Sequence, residues 1–143
     1  MFFIISIFEV FMAKKLIILS GSDNSGKSET LKFLVTKLGG KLTANYDDRY
    51  ICRNTTSTIA ICTGGDDGYA INENIKFFLA NMNCDVYISP ARSKGVTIAA
   101  LKGWANSNKI NYLVLTKSWA ENANNAVYSQ INDKFADFLN SLI

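Results

Sequence analysis

Histidine is absent from the 143 residues and proline occurs once, at Pro90. Without an imidazole, Ser-His-Asp and Cys-His catalysis are excluded, as is every zinc site that needs a histidine ligand. Any chemistry must rest on Lys, Arg, carboxylates, hydroxyls and a bound metal. Cysteine is scarce too: Cys52, Cys62 and Cys84 show no C-x-x-C spacing and two of them lie inside apolar runs. That usage reads as buried thiols, not a metal or disulfide framework, and points to a reducing, cytoplasmic compartment. Charge of one sign is also lacking. Fifteen Lys and Arg against 12 Asp and Glu leave a formal charge of +3, with the cations scattered, so no basic stripe argues for nucleic acid as a partner. Residues 1–11 are strongly apolar but have no basic n-region, contain Glu9 and offer no small-residue cleavage pattern, which argues against a signal peptide. They are also too few to span a bilayer as a helix. They read as an apolar N-terminal tail or a misassigned start, with Met12 the functional first residue. Residues 12–143 then form a single domain.

What is present suffices for one core: 48% of residues are apolar and 12% aromatic. Residues 15–20 are apolar and β-prone without alternation, as in a parallel strand buried on both faces. The period then changes. Leu31, Leu34, Val35 and Leu38 fall on one helical face, and Gly39-Gly40 supplies a stop, so residues 26–38 read as a loop passing into a helix. Residues 50–53 and 57–63 read as two strands of a hairpin, the first an antiparallel edge. After the Gly-Asp-rich residues 64–68, Ile71, Ile75, Phe78, Leu79 and Met82 resume helical spacing, and a strand over residues 85–89 ends at Pro90. A helix over 96–105, a strand over 112–116 and a long amphipathic helix from about Asn125 to the C-terminus complete the pattern. This alternation predicts a three-layer α/β domain with right-handed crossovers and a mostly parallel five-stranded sheet. There is no internal repeat, low-complexity tract or linker.

The segment Gly21-Ser22-Asp23-Asn24-Ser25-Gly26-Lys27-Ser28 satisfies G-x-x-x-x-G-K-[ST] in full, between a predicted strand and a predicted helix. The two glycines let the backbone turn tightly and aim its N–H groups at phosphate oxygens, while the following helix presents its positive end. Lys27 would bridge the β- and γ-phosphates and the Ser28 hydroxyl would hold magnesium. Glu29, next in the first turn, is counted with the nucleotide-binding residues.

On these residues the chain resembles a P-loop NTPase of the nucleotide-kinase and small-NTPase kind, the resemblance covering the first strand through the first helix. The loop is similar to that of thymidylate-kinase-like enzymes, which commonly carry Asp at the third position. The resemblance implies that Asp23 touches the sugar of a second substrate; the residue type alone is equally consistent with a cap on a local turn. Asp48-Arg49-Tyr50 is similar to an Asp-Arg-Tyr element of the same kinases, whose Arg holds phosphate. Here it comes earlier in the chain, the arginine-rich lid is missing and the chain is shorter. On their own, Asp47, Asp48 and Arg49 read as a solvated loop leading into an edge strand.

Magnesium in such a site needs a second acidic residue at the carboxyl end of a neighbouring strand. Asp85 begins its strand and so belongs to the other end. Asp66 and Asp67 follow residues 57–63 at the correct end and are the candidates, Asp66 first as metal ligand and both as catalytic groups; a plain Asp-Gly turn is the alternative. This loop is also similar in location to the second switch of small GTPases. Arg92 and Lys94 should emerge on the phosphate side, where Arg92 would neutralise charge in phosphoryl transfer. Thr116-Lys117-Ser118-Trp119 stands where GTPases carry Asn/Thr-Lys-x-Asp, but Trp119 replaces the guanine-reading Asp. ATP is therefore expected over GTP, with Lys117 or Trp119 against the base; Trp119 and Trp104 otherwise read as packing aromatics. The leading expectation is an ATP- and Mg2+-dependent phosphotransferase acting on a small-molecule acceptor. A nucleotide-triggered switch acting on a protein partner and a binding module with little turnover are the alternatives.

Overall fold

A computed structural model describes residues 13–22, 25–42, 48–64, 67–118 and 124–143. The N-terminal tail, the expected start at Met12 and the candidates Asp23, Asn24, Asp66 and Trp119 lie outside the described residues. In chain order the elements are β1 (Lys15–Gly21), α1 (Lys27–Lys37), β2 (Lys41–Leu42), β3 (Arg49–Arg53), β4 (Thr58–Cys62), α2 (Gly68–Leu79), β5 (Val86–Arg92), α3 (Thr97–Ser107), β6 (Asn111–Thr116) and α4 (Asn125–Ser141).

The strands form one sheet in the order β2-β3-β4-β5-β1-β6. β4, β5, β1 and β6 pair in parallel, and β3 is antiparallel to both β2 and β4. The expected α/β domain with a mostly parallel sheet and one reversed strand is present, with two differences. A two-residue strand, too short to show a period, lies outside β3 and displaces it from the edge. The strand expected to stop at Pro90 continues to Arg92. Pairing of β5 with β4 ends at Ile61 and Ile88, whereas pairing with β1 runs on to Gly21 and Arg92. Pro90 therefore sits where β4 asks for no donor, and its missing N–H does not break the strand.

β1 lies between β5 and β6 and is sealed on both faces. Leu16 and Ile18 join a core with Ile71, Phe78, Tyr87, Leu101 and Trp104, built from α2 and α3. Ile17 and Leu19 join a second core with Leu31, Leu34, Ile61, Ile88 and Leu139, built with α1 and α4. These two clusters are the interfaces of a three-layer sandwich. All four β1 side chains are at most 1% exposed, and burial of each contributes about 1.5–3 kcal/mol. The loop after β1 is thus carried by the most firmly anchored strand. Trp104 packs edge-on to Tyr87 at 5.1 Å, as a core aromatic. Among the described residues, no helix is long and apolar enough to cross a membrane.

Candidate functional site

Gly21 ends β1 and Lys27 opens α1, so the described parts of residues 21–28 form the turn between the central strand and the first helix. Gly26, the N-cap of α1, has φ 87°, a left-handed conformation that glycine adopts without strain. A side chain there has no room: a Cβ would lie 2.5 Å from Asn132 Oδ1. One on Gly21 would lie 2.6 Å from both the Lys117 carbonyl and Ser25 Oγ. Both glycines of the motif are thus fixed by close approach.

The Lys27 ammonium folds back along the loop, donating to the carbonyls of Gly21 at 2.6 Å and Ser22 at 2.9 Å. Lys117, from the end of β6, comes up beneath the same loop: its backbone N–H donates to Ser20 O at 2.7 Å and its ammonium donates to the Ser25 carbonyl. It is 3% exposed, and burial, with Lys27 adding repulsion against the opposing pull of Glu29, holds its pKa below the ordinary lysine value. Lys117, expected against a base, is therefore spent inside the fold as a brace. Two ammonium groups hold loop carbonyls at positions 21, 22 and 25. Ser25 Oγ is buried without a hydrogen-bond partner, a polar atom that the fold leaves open inside the loop. Ser28, in the first turn of α1, is exposed.

Glu29 turns away from the loop. It accepts hydrogen bonds from Ser129 Oγ at 2.7 Å and Asn132 Nδ2 at 3.1 Å, tying α1 to α4. Lys37 extends the tie, reaching Asp133 at 2.7 Å and Asp137 at 3.0 Å, and both carboxylates raise its pKa.

Strand order decides the neighbours of the loop. β5, not β4, flanks β1, with Arg92 level with Gly21 and the Ser93 N–H donating to Gly21 O at 3.3 Å. Arg92 is exposed, and its backbone N–H donates to Thr97 Oγ1 at 3.1 Å. Lys94 is likewise exposed. The acidic residues after β4 were expected beside β1; the described one, Asp67, follows a strand that is one removed from β1, roughly 10 Å away at about 4.8 Å per strand. The Asp67 carboxylate accepts from the Ala70 N–H at 2.8 Å and caps α2. Asp85 is at the opposite end, as expected: it accepts from the Thr58 N–H at 2.9 Å and lines a cavity of about 310 Å³ with Ala13, Lys15, Ser57 and Ile143.

Sequence reasoning placed Asp48 and Arg49 in a solvated loop; Asp48 stays half-exposed in a bend, but the fold corrects the reading of Arg49, which opens β3 and is buried. A strand antiparallel to β4 begins where β4 ends, so the amino end of β3 lies at the same end of the sheet as the loop after β1; the hairpin alone carried that signal. Arg49 is 7% exposed and its Nε donates to Asn74 Oδ1 at 3.2 Å. Asn74, fully buried on α2, donates in turn to Gly64 O at 3.2 Å and Ser89 Oγ at 3.3 Å. This network joins β3, β5, α2 and the start of the acidic loop. Among the described residues no group of three or more His, Cys, Asp or Glu could hold a metal ion, so a metal here would depend on ligand oxygens as well. No family model, curated protein or solved structure matches the chain.

Proposed function

We propose that the chain binds a nucleoside triphosphate, ATP in preference to GTP, with magnesium at residues 21–28, and uses it for phosphoryl transfer to a small-molecule acceptor. The supporting observation is the loop itself. A buried central strand delivers a turn with its glycines fixed by contact, two lysines hold its carbonyls, one buried hydroxyl has no partner, and a helix N-terminus follows. The loop leads into the N-terminus of α1, whose first N–H groups and positive dipole end favour an anion. The residues present suit a magnesium nucleotide: Lys27 would exchange its carbonyl partners for phosphate oxygens, exposed Ser28 would offer a hydroxyl to the metal, and exposed Arg92, level with Gly21, would face charge developing on the transferred group.

A hydrolytic switch is the second reading, favoured by Asn74. Because it joins Gly64, Ser89 and Arg49, a change in the loop after β4 would be felt at α2 and β3 together.

ATP with magnesium should raise the thermal midpoint of the wild type, since a ligand at 100 times its Kd stabilises by about 2.7 kcal/mol. Lys27→Ala should lose at least about tenfold in affinity, about 1.4 kcal/mol. Labelled γ-phosphate on a small acceptor supports transfer; release of inorganic phosphate alone supports the switch. A wild type with no affinity for ATP or GTP overturns the proposal.

A further inference from the structure

We propose that the outer edge of β6 and the apolar flank of α4 form the interface of a homodimer, in which two copies of β6 pair antiparallel about a twofold axis at Val114. The two edges of the sheet differ. β2 closes one with two residues, a blunted edge, whereas β6 closes the other with six residues that carry no charge and no proline, and among the described residues nothing pairs with its outer side. The backbone groups on that side can be named. The Lys117 N–H donates to Ser20 O, so Asn111, Leu113 and Leu115, in step with it, also turn their backbone groups to β1. Tyr112, Val114 and Thr116 turn theirs outward.

The side chains beside this edge are apolar. Leu113 and Leu115 share the sheet face that α4 covers, where Leu115 joins the same core as Phe135 and Leu142. Along α4, Val127, Ile131 and Phe138 fall within about 40° of one another at about 100° per residue. Ser129, Asp133 and Asp137 lie on the other flank, tied to Glu29 and Lys37 of α1. Because α1 packs toward β1 and β4, the apolar flank of α4 looks toward β6. Tyr112, Leu113, Val127, Ile131 and Phe138 are each 37–47% exposed. They offer on the order of 400 Å² of apolar area, about half of the roughly 800 Å² per partner in a standard interface, which leaves the remainder to the strand backbone and the rim. A second copy fits this surface because the strand is complementary to itself. An axis at Val114 sets Leu113 against the partner's Leu115, Val114 against its own copy and Tyr112 against the partner's Thr116, with the three outward residues hydrogen-bonded. No like charges meet along the strand, and Lys134, the charge on the α4 stripe, has a stem long enough to carry its ammonium to solvent. Antiparallel pairing also puts the two loops after β1 at opposite ends of the joined sheet, where neither covers the other.

The test combines light scattering over a concentration series, which reads mass, with amide hydrogen exchange by NMR, which reads the edge. The full chain should show twice its 15.8 kDa, with the amides of Tyr112, Val114 and Thr116 protected as well as those of Leu113 and Leu115. Leu113→Lys puts a cation where the partner's Leu115 would pack, and the axis applies the change twice, so the dimer dissociation constant should rise about a hundredfold or more. The three outward amides should then lose protection while those of Leu113 and Leu115 keep it. Phe138→Lys, on the exposed flank of α4, should weaken the dimer in the same direction and serves if Leu113→Lys fails to fold. A monomer at every concentration overturns the proposal. Slow exchange of the outward amides in such a monomer would assign the edge to another segment of this chain. A dimer that keeps its affinity in the folded variants, or whose outward amides exchange freely, overturns the proposal as well, since its contact is elsewhere.

Discussion

Gly26 packs closely against Asn132, and the contact joins the loop after β1 to the last helix. Gly26 holds φ 87°, which costs a residue with a Cβ about 1–3 kcal/mol, and an added methyl would lie 2.5 Å from Asn132 Oδ1. Gly26→Ala should therefore destabilise by more than the conformational term alone, seen as a lower urea midpoint at unchanged m-value. Asn132→Ala removes the obstructing amide, whose Oδ1 is buried without a partner, and also the bond to Glu29. In the double variant the steric part of the Gly26→Ala penalty should disappear and the backbone part remain, so the two losses should add to less than their sum. Strict additivity would mean that the loop and α4 are not in contact in solution.

At the scale of elements, Asp67 shows how a residue chosen for one role can serve another. Its carboxylate closes the first turn of α2 through the Ala70 N–H, so Asp67→Ala should cost about 0.5–2 kcal/mol, while Asp67→Asn, an equally good cap, should cost little. Both should leave the magnesium dependence of ATP binding unchanged; a selective loss in Asp67→Asn would assign the metal to this residue. The sequence made the elements legible where local signals agree: β1, loop and α1 combine an unbroken apolar run, paired glycines and helical spacing. It hid what depends on partners. β5 passes Pro90 because β1 continues to pair beyond the end of the β4 ladder, and β2 has only two residues. Strand order lay out of reach because crossovers, not composition, choose the neighbour. For that reason Asp67 was expected nearer the loop than the fold puts it, and Arg49, though beside a recognised hairpin, was not followed to the end of the sheet where the reversal takes it. Lys117 was read by its place in a motif, whereas its burial under Ser25 is set by the register of β6 on β1.

Over the whole molecule, the buried ionisable groups set how stability responds to alkali. Burial raises the Cys52 thiol from an ordinary value near 9.0 to about 11 and the Tyr87 hydroxyl from near 10.0 to about 12. Cys62 and Cys84 are raised by the same cause, their neighbouring charges being secondary. A group whose native pKa lies above its unfolded value contributes stability that is complete below the unfolded pKa and is lost as pH rises toward the native one, because the unfolded chain releases its proton first. For the thiols that loss begins near pH 9, and Tyr87 adds to it above pH 10. Lys117 acts in the opposite direction. Its native pKa is lowered, so the cost of burying its charge is relieved as pH rises. Its deprotonation nonetheless removes the cation that holds the Ser25 carbonyl, so the relief comes at the expense of loop order. With four of the described buried groups opposing one, the urea midpoint in reducing buffer should hold steady through neutral pH and fall from about pH 9 to 11, and Cys52→Ala should make that fall shallower. ATP affinity should decline as Lys117 loses its proton, below the ordinary lysine range, while Lys117→Met, already without the charge, should bind weakly at neutral pH and lose little more. A midpoint that stays level to pH 11 would mean that these thiols meet solvent in the native protein, contrary to the packing around β3 and β4.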